Sequence, residues 1–166
     1  MVDTRKQSLQ IDLSLQQLRV VAGGEITTTY AISTALNGPG EQQGSGCTPR
    51  GLHRIRLKIG AGLPENAVFI GRRYTGEIYT PELANANPQR DWILTRILWL
   101  TGLESGNNRG GSVDSLRRFI YIHGTPDHEP MGAAASHGCI RMRNSDILTL
   151  FNQVPVGTLV DIRETF

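Results

Sequence analysis

Apolar and polar residues alternate along most of this chain with a period of two, the mark of half-buried strands. Leu9, Ile11 and Leu13 alternate with Gln10, Asp12 and Ser14, and Leu18 to Val21 continues the pattern. Gly23-Gly24 is a tight-turn signal, and the Thr-rich run Glu25 to Ser33 follows it, so a hairpin is predicted. Thr34 to Leu52 is rich in Gly and Pro and reads as a loop. Ile55, Leu57 and Ile59 alternate with Arg54, Arg56 and Lys58, which predicts a strand whose basic face is solvated. Ala67 to Ile70 and Tyr74 to Tyr79 are short strand candidates. Trp92 to Leu100 satisfies both the helical and the strand period, and its neighbours favour a strand.

Further along, Gly102 to Gly111 reads as a loop and Phe119 to His123 as a short strand ending at Gly124. On that strand Phe119, Tyr121 and His123 share one face, with His123 at the strand end. Asn144-Ser145-Asp146 ahead of Ile147, Leu148, Leu150 and Phe151 predicts a capped helix, which Pro155 ends. Thr158 to Arg163 is a final strand. The predicted fold is mostly β with one or two helices, in a single domain over residues 1–166.

Composition narrows the functional classes. A chain of 166 residues can bury a real core in one domain. A net charge of +2, with basic residues spread out and not interleaved with aromatics, argues against nucleic acid. Fifteen of the 17 basic residues are Arg, whose forks suit carboxylate-rich ligands; base composition of a genome gives the same bias. No segment approaches ~20 apolar residues, so no membrane span is expected. The N-terminal run MVDTRKQSLQIDLSLQQL contains no signal-peptide core, and cytoplasmic placement is the expectation. A chain whose leader has been removed presents the same N-terminus, so the periplasm is the alternative.

The chemistry concentrates in Ser136-His137-Gly138-Cys139, with His123 sixteen positions before the cysteine. A cysteine attacks as its thiolate and needs a proton acceptor within hydrogen-bond reach. Cys139 is the candidate nucleophile and His123 the candidate base. A carbonyl that fixes the imidazole tautomer is needed as well, and Gly124 is the nearest small position. Gly138 lets backbone N–H groups approach a substrate carbonyl. The blander alternative is an inert buried cysteine and a structural histidine. A zinc site built from His123, His128, His137 and Cys139 fits none of the usual ligand spacings, so no metal and no cofactor is expected. Cys47, in Gly-Ser-Gly-Cys-Thr-Pro, has no base nearby and reads as a small loop residue, and Trp92 and Trp99 read as core.

These residues resemble the YkuD-type L,D-transpeptidase family. Ser136-His137-Gly138-Cys139-Ile140-Arg141-Met142, preceded by Ile122-His123-Gly124-Thr125, carries the resemblance. Thr48-Pro49-Arg50-Gly51, Ile11-Asp12-Leu13-Ser14 with Leu18, and Gly157-Thr158-Leu159-Val160 extend it from about Leu9 to Ile162. It implies a β-sandwich or barrel domain with Cys139 as acyl-accepting nucleophile in a covered site. His123 is then the base and the Gly124 carbonyl its orienting partner. Amides near Gly138 and Cys139 would hold the oxyanion, while Ser136 and His137 shape the loop. Arg141 matches a family arginine that either pairs with a substrate carboxylate or braces the loop; Tyr121, read from its own strand, is a packing residue that borders the site and the substrate.

The family cleaves the bond between meso-diaminopimelate and D-Ala in murein stem peptides, through a thioester. An amine acceptor gives 3-3 cross-links or D-amino-acid exchange, and water gives a trimmed tripeptide. Carbapenems trap the cysteine. With no leader and no accessory domain in view, the expected reading is the L,D-carboxypeptidase branch, which trims murein tetrapeptides during recycling. A periplasmic L,D-transpeptidase is the alternative. Gly132 and the three alanines after it permit residues 124–138 to act as a lid.

Overall fold

The computed structural model describes residues 6–166. The strands are β1 (Ser8–Asp12), β2 (Gln17–Ala22), β3 (Glu25–Ser33), β4 (Gly51–Ile59), β5 (Ala67–Ile70), β6 (Arg73–Ile78), β7 (Ile93–Gly102), β8 (Tyr121–Thr125), β9 (Ile140–Arg143) and β10 (Leu159–Arg163). Two helices join them, α1 (Pro81–Ala86) and α2 (Asn144–Gln153). Strand order runs β4-β10-β1-β2-β3-β9-β8-β7, and a further β4–β7 pairing joins the ends into a closed eight-strand barrel. Closure leaves these eight strands without a free edge. The β5–β6 hairpin adds to β7 outside the ring. Of the two expected architectures, the barrel is therefore the one observed.

Two hydrophobic clusters divide the interior. The larger draws Leu9, Ile11, Leu18, Val20 and Ile32 from the first three strands and Leu98, Ile122, Ile140 and Met142 from β7 to β9. It also takes Ile147, Leu150 and Phe151 from α2, which lies against β7, β8 and β9. The smaller gathers Ala67, Phe69, Ile97 and Tyr121, with Trp99 and Cys139 packed at its margin. Successive strand residues point to opposite faces, so β7 and β8 each supply the larger cluster with one residue set and the smaller with the next.

The elements depart from the sequence reading where tertiary contacts override local pattern. The first loop ends at Arg50, because Gly51 and Leu52 pair with β10. Lys58 does not merely face water: its ammonium donates to the Val154 carbonyl at 2.8 Å and to that of Phe151, closing the α2 C-terminus. Phe119 is not on a strand; it sits at φ +57° and stays half exposed, so β8 starts at Tyr121. His123 is not at a strand end either, because β9 pairs with Gly124 and Thr125 and carries β8 past it. Helix α1 has readable signals that the pattern reading passed over, with Thr80 capping the Leu83 amide at 3.1 Å and Pro81 in the first turn. Asn144 does not cap α2; its side chain is buried and turned inward.

Candidate active site

Parallel pairing of β8 and β9 builds the site. His123 lies opposite Arg141 in register, and Cys139 immediately precedes β9, two residues earlier on the same face. Ile122, Ile140 and Met142, on the other face, anchor both strands in the larger core.

His123 is 2% exposed, and its Nδ1 lies 2.6 Å from the Gly124 carbonyl oxygen. A carbonyl can only accept, so Nδ1 carries the proton and Nε2 keeps its lone pair. Burial pushes the ring's pKa below its ordinary value; the Gly124 bond and Asp91 oppose this and Arg141 adds to it. His123 is therefore held neutral, as a base must be. Gly124 is compressed here: a Cβ would collide with Asn144 Oδ1 and come within 2.6 Å of the Leu94 carbonyl.

The Cys139 thiol donates to the Phe119 carbonyl at 3.3 Å and accepts from the Tyr121 amide at 3.4 Å. His123 is not among its hydrogen-bond partners. Burial raises the thiol pKa to about 11, aided by Asp91 and opposed by the Tyr121 amide, Arg141 and Arg118. The resting pair is thus a neutral thiol and a neutral imidazole, and ionisation requires proton transfer to a base.

The loop before Cys139 is fixed from three sides. Ser136 Oγ donates to the Cys139 carbonyl at 2.6 Å and accepts from the Gly138 amide at 3.3 Å. Thr48 Oγ1 donates to the Gly138 carbonyl at 2.9 Å. Gly138 has φ +133°, which disfavours a side chain. Arg118 donates to the carbonyls of Gly40, Glu41 and Cys47, tying the 34–50 loop beside the nucleophile. Cys47 contributes that carbonyl, and its own Sγ donates to the Asn37 and Ser45 carbonyls.

Arg141 is 8% exposed and engaged by Asp91 at 3.1 Å, by the Ala135 carbonyl at 3.4 Å and by Glu129 at 3.8 Å. These contacts brace the loop beside the site. Tyr121 borders the site through its backbone amide; its ring is buried edge-on against Trp99. Trp92 is not core: it packs edge-to-face with Tyr79 and lies under Arg90 at a cavity wall. His128 is surface-exposed beside Glu129, and among the described residues no three His, Cys, Asp or Glu side chains converge on a metal position.

Sequence reasoning missed Thr48, Asp91 and Arg118 as parts of the site. Thr48 was visible within the Thr-Pro-Arg-Gly match, but no local signal marks the other two.

Two cavities flank the exposed His137. One, of about 460 Å³, is lined by Gln43, Arg117, Arg118, Phe119, Gly138 and Cys139. The other, of about 250 Å³, is lined by Asp91, Trp92, Thr125, Glu129 and Arg141.

Fold and site together define a class: a small closed barrel bearing a cysteine–histidine pair on the outer face of two parallel strands. The chain belongs to the YkuD family of L,D-transpeptidase catalytic domains, whose sequence model matches residues 6–162. It is 34% identical over 123 residues to the probable L,D-transpeptidase ErfK/SrfK of Salmonella typhimurium, a match covering 69% of this chain and 39% of that protein. The chain thus spans well under half of that relative. Its fold is similar to L,D-transpeptidase 3 of Mycobacterium tuberculosis in complex with a faropenem-derived adduct (TM-score 0.58, 16% identity, 96% of this chain and 60% of that one). It is also similar to the L,D-transpeptidase LdtMt1 in complex with imipenem (TM-score 0.54, 15% identity, 95% and 59%). Among the described residues no helix is long and apolar enough to cross a membrane.

Proposed function

We propose that the protein transfers acyl groups of peptidoglycan stem peptides through a thioester on Cys139. The observation that carries this reading is the 2.6 Å bond between His123 Nδ1 and the Gly124 carbonyl, which leaves Nε2 free to accept a proton on the face that bears Cys139.

The reaction starts when the thiol leaves the Phe119 carbonyl and gives its proton to His123 Nε2. Sulfur attacks the carbonyl carbon at the L-centre of meso-diaminopimelate, and amides near Gly138 and Cys139 hold the oxyanion. Each well-aimed donor is worth roughly 3 kcal/mol of barrier. The Gly138 amide exchanges its long bond to Ser136 Oγ for the stronger charged acceptor. The tetrahedral intermediate collapses, the C–N bond breaks, and the imidazolium returns its proton to the departing D-Ala amine. A thioester remains on Cys139.

Water then gives an L,D-carboxypeptidase, the first reading. The Arg-rich composition suits a tetrapeptide with several carboxylates, and Arg117 and Arg118 line the Cys139 cavity. An amine gives an L,D-transpeptidase, the second reading, for which the second cavity beyond His137 offers room for an acceptor. The first reading belongs to murein recycling in the cytoplasm, the second to the periplasm.

The same nucleophile makes a carbapenem a covalent inhibitor, a reading supported by the imipenem-bound relative. Intact mass after carbapenem treatment tests the shared step, with one adduct expected on the wild type and none on Cys139→Ala. An unmodified wild type, or an equally modified variant, overturns it. Incubation with free tetrapeptide then separates the readings: D-Ala released without an acceptor supports the first, and product only when an amine is supplied supports the second.

A further inference from the structure

A buried polar cluster lies behind His123 that the chemistry above leaves unused. Thr95 Oγ1 donates to Asn144 Oδ1 at 2.6 Å and accepts from the Asn66 amide at 3.0 Å. Asn144 Nδ2 donates to Asn66 Oδ1 at 3.0 Å and to Asp127 Oδ1 at 3.3 Å. Thr95 and Asn144 are fully buried.

The backbone here departs from regular strand geometry. Thr95 has φ +75° and Asn66 φ +69°. A β-branched residue in the left-handed region is an outlier that surrounding contacts must hold. The β7–β8 register slips at the same place: Leu94 pairs with Gly124 and Ile97 with His123, leaving Thr95 and Arg96 as a bulge opposite the His123–Gly124 peptide. Bulges beside reactive groups re-aim side chains. This one turns Thr95 onto Asn144, and both press on Gly124, whose absent Cβ would collide with Asn144 Oδ1 and lie 3.2 Å from Thr95 Cβ.

We propose that Thr95 and Asn144 are positioning residues for the base: they clamp the Gly124 peptide so that its carbonyl keeps the imidazole proton of His123 on Nδ1. This deepens the proposed reaction and rests on the role given there to His123. Neither residue touches substrate. The bulge interrupts the ladder, the polar cluster fixes the bulge, and the fixed peptide presents its oxygen to the ring. Asp127 extends the clamp into the segment between Gly124 and Ser136.

The test uses ¹⁵N spectra of His123 together with steady-state kinetics. Thr95→Val keeps the shape but removes the hydroxyl, and Thr95→Ser restores it. Asn66→Gly accepts the left-handed backbone and removes one link, as a milder variant should Thr95→Val fail to fold. Wild type is expected to show the Nδ1–H tautomer alone at neutral pH. Thr95→Val is expected to mix both tautomers and to lose roughly 10- to 100-fold in kcat with little change in KM, as supporting contacts elsewhere do. Thr95→Ser is expected to recover both properties, and Asn66→Gly to fall between. A folded Thr95→Val or Asn66→Gly with wild-type tautomer and turnover overturns the clamp, as does an Nε2–H tautomer in the wild type. Loss of turnover with an unchanged tautomer reveals a merely structural role and overturns it too. If the wild type forms no carbapenem adduct, the acyl-transfer reading fails separately, and the spectra still judge the clamp.

Discussion

The two faces of β7, β8 and β9 differ by one residue in register and by everything in how they are held. On the inner face Leu98, Ile122, Ile140 and Met142 are fully buried among other apolar side chains. Such contacts are non-directional, and their strength follows area. On the outer face His123, Cys139 and Arg141 are fixed by hydrogen bonds with defined donors and acceptors. The inner face therefore supplies stability and the outer face supplies orientation. A strand delivers both because alternate side chains cannot reach each other across the sheet.

Deleting the base on the outer face should have the largest effect. His123→Ala is expected to lower the rate of Cys139 acylation by roughly 10²- to 10⁴-fold, the range for a lost general base. The fold should survive at a cost of about 1–3 kcal/mol, since the ring is buried and its removal leaves the Gly124 carbonyl without its donor. Stopped-flow acylation and calorimetry on the same sample check both halves; normal acylation would remove His123 from the mechanism.

The converse change is Ile122→Ala, one residue away on the opposite face. It removes a fully buried aliphatic side chain from the larger core and is expected to cost about 2–5 kcal/mol in urea denaturation. The folded fraction should still form a carbapenem adduct. A stable but inactive Ile122→Ala would mean that the two faces are not separable.

Acidification probes both faces together. His53 is buried near the barrel's closing seam, with Nε2 2.8 Å from Ser115 Oγ, and burial pulls its pKa down to about 4. His123 is pulled down likewise by burial. Both rings bind protons more weakly when folded, so the unfolded chain gains protons first as pH falls below about 6.5. Their stabilisation is full above that pH and is lost on the way down to about 4 for His53, on the order of 3 kcal/mol for that ring. Urea midpoints measured between pH 7.5 and 4 should fall, and His53→Gln should flatten the decline. The acid limb of turnover should sit below the ordinary histidine range, because His123 keeps its lone pair there.

What was legible in the sequence follows the same division. The first three strands could be read because apolar and polar residues alternate over long runs, as in Leu9 to Leu13. The four-residue β9 could not, because Ile140 to Arg143 is too short to show a period and lies within the nucleophile motif. The placing of His123 and Cys139 on one face was legible because a nucleophile and a base demand particular residue types. Asn144 was misread because Asn-Ser-Asp ahead of an apolar run is a capping pattern, and partners far along the chain, Thr95 at 49 positions and Asn66 at 78, turn it inward. Thr48 meets Gly138 across 90 positions and Arg118 meets Cys47 across 71. Contacts of that span leave no periodic trace in the chain.

The smallest expected effect concerns Arg141, which lies on the outer face yet is nearly buried. Asp91, half exposed, pairs with it at 3.1 Å and also reaches His137 at 3.5 Å. Exposed ion pairs are worth about 0–1 kcal/mol, so Asp91→Asn should barely move the denaturation midpoint. Its kinetic effect has a sign that can be worked out: the Asp91 carboxylate raises the Cys139 pKa and holds the Arg141 cation that lowers it. Removing one negative charge while Glu129 and the Ala135 carbonyl still hold Arg141 should make the thiol slightly more acidic. Iodoacetamide alkylation of Cys139, followed against pH, should then begin at lower pH in Asp91→Asn. A shift to higher pH would mean that Asp91 acts chiefly by aiming Arg141, and that even this partly exposed pair belongs to the orienting machinery.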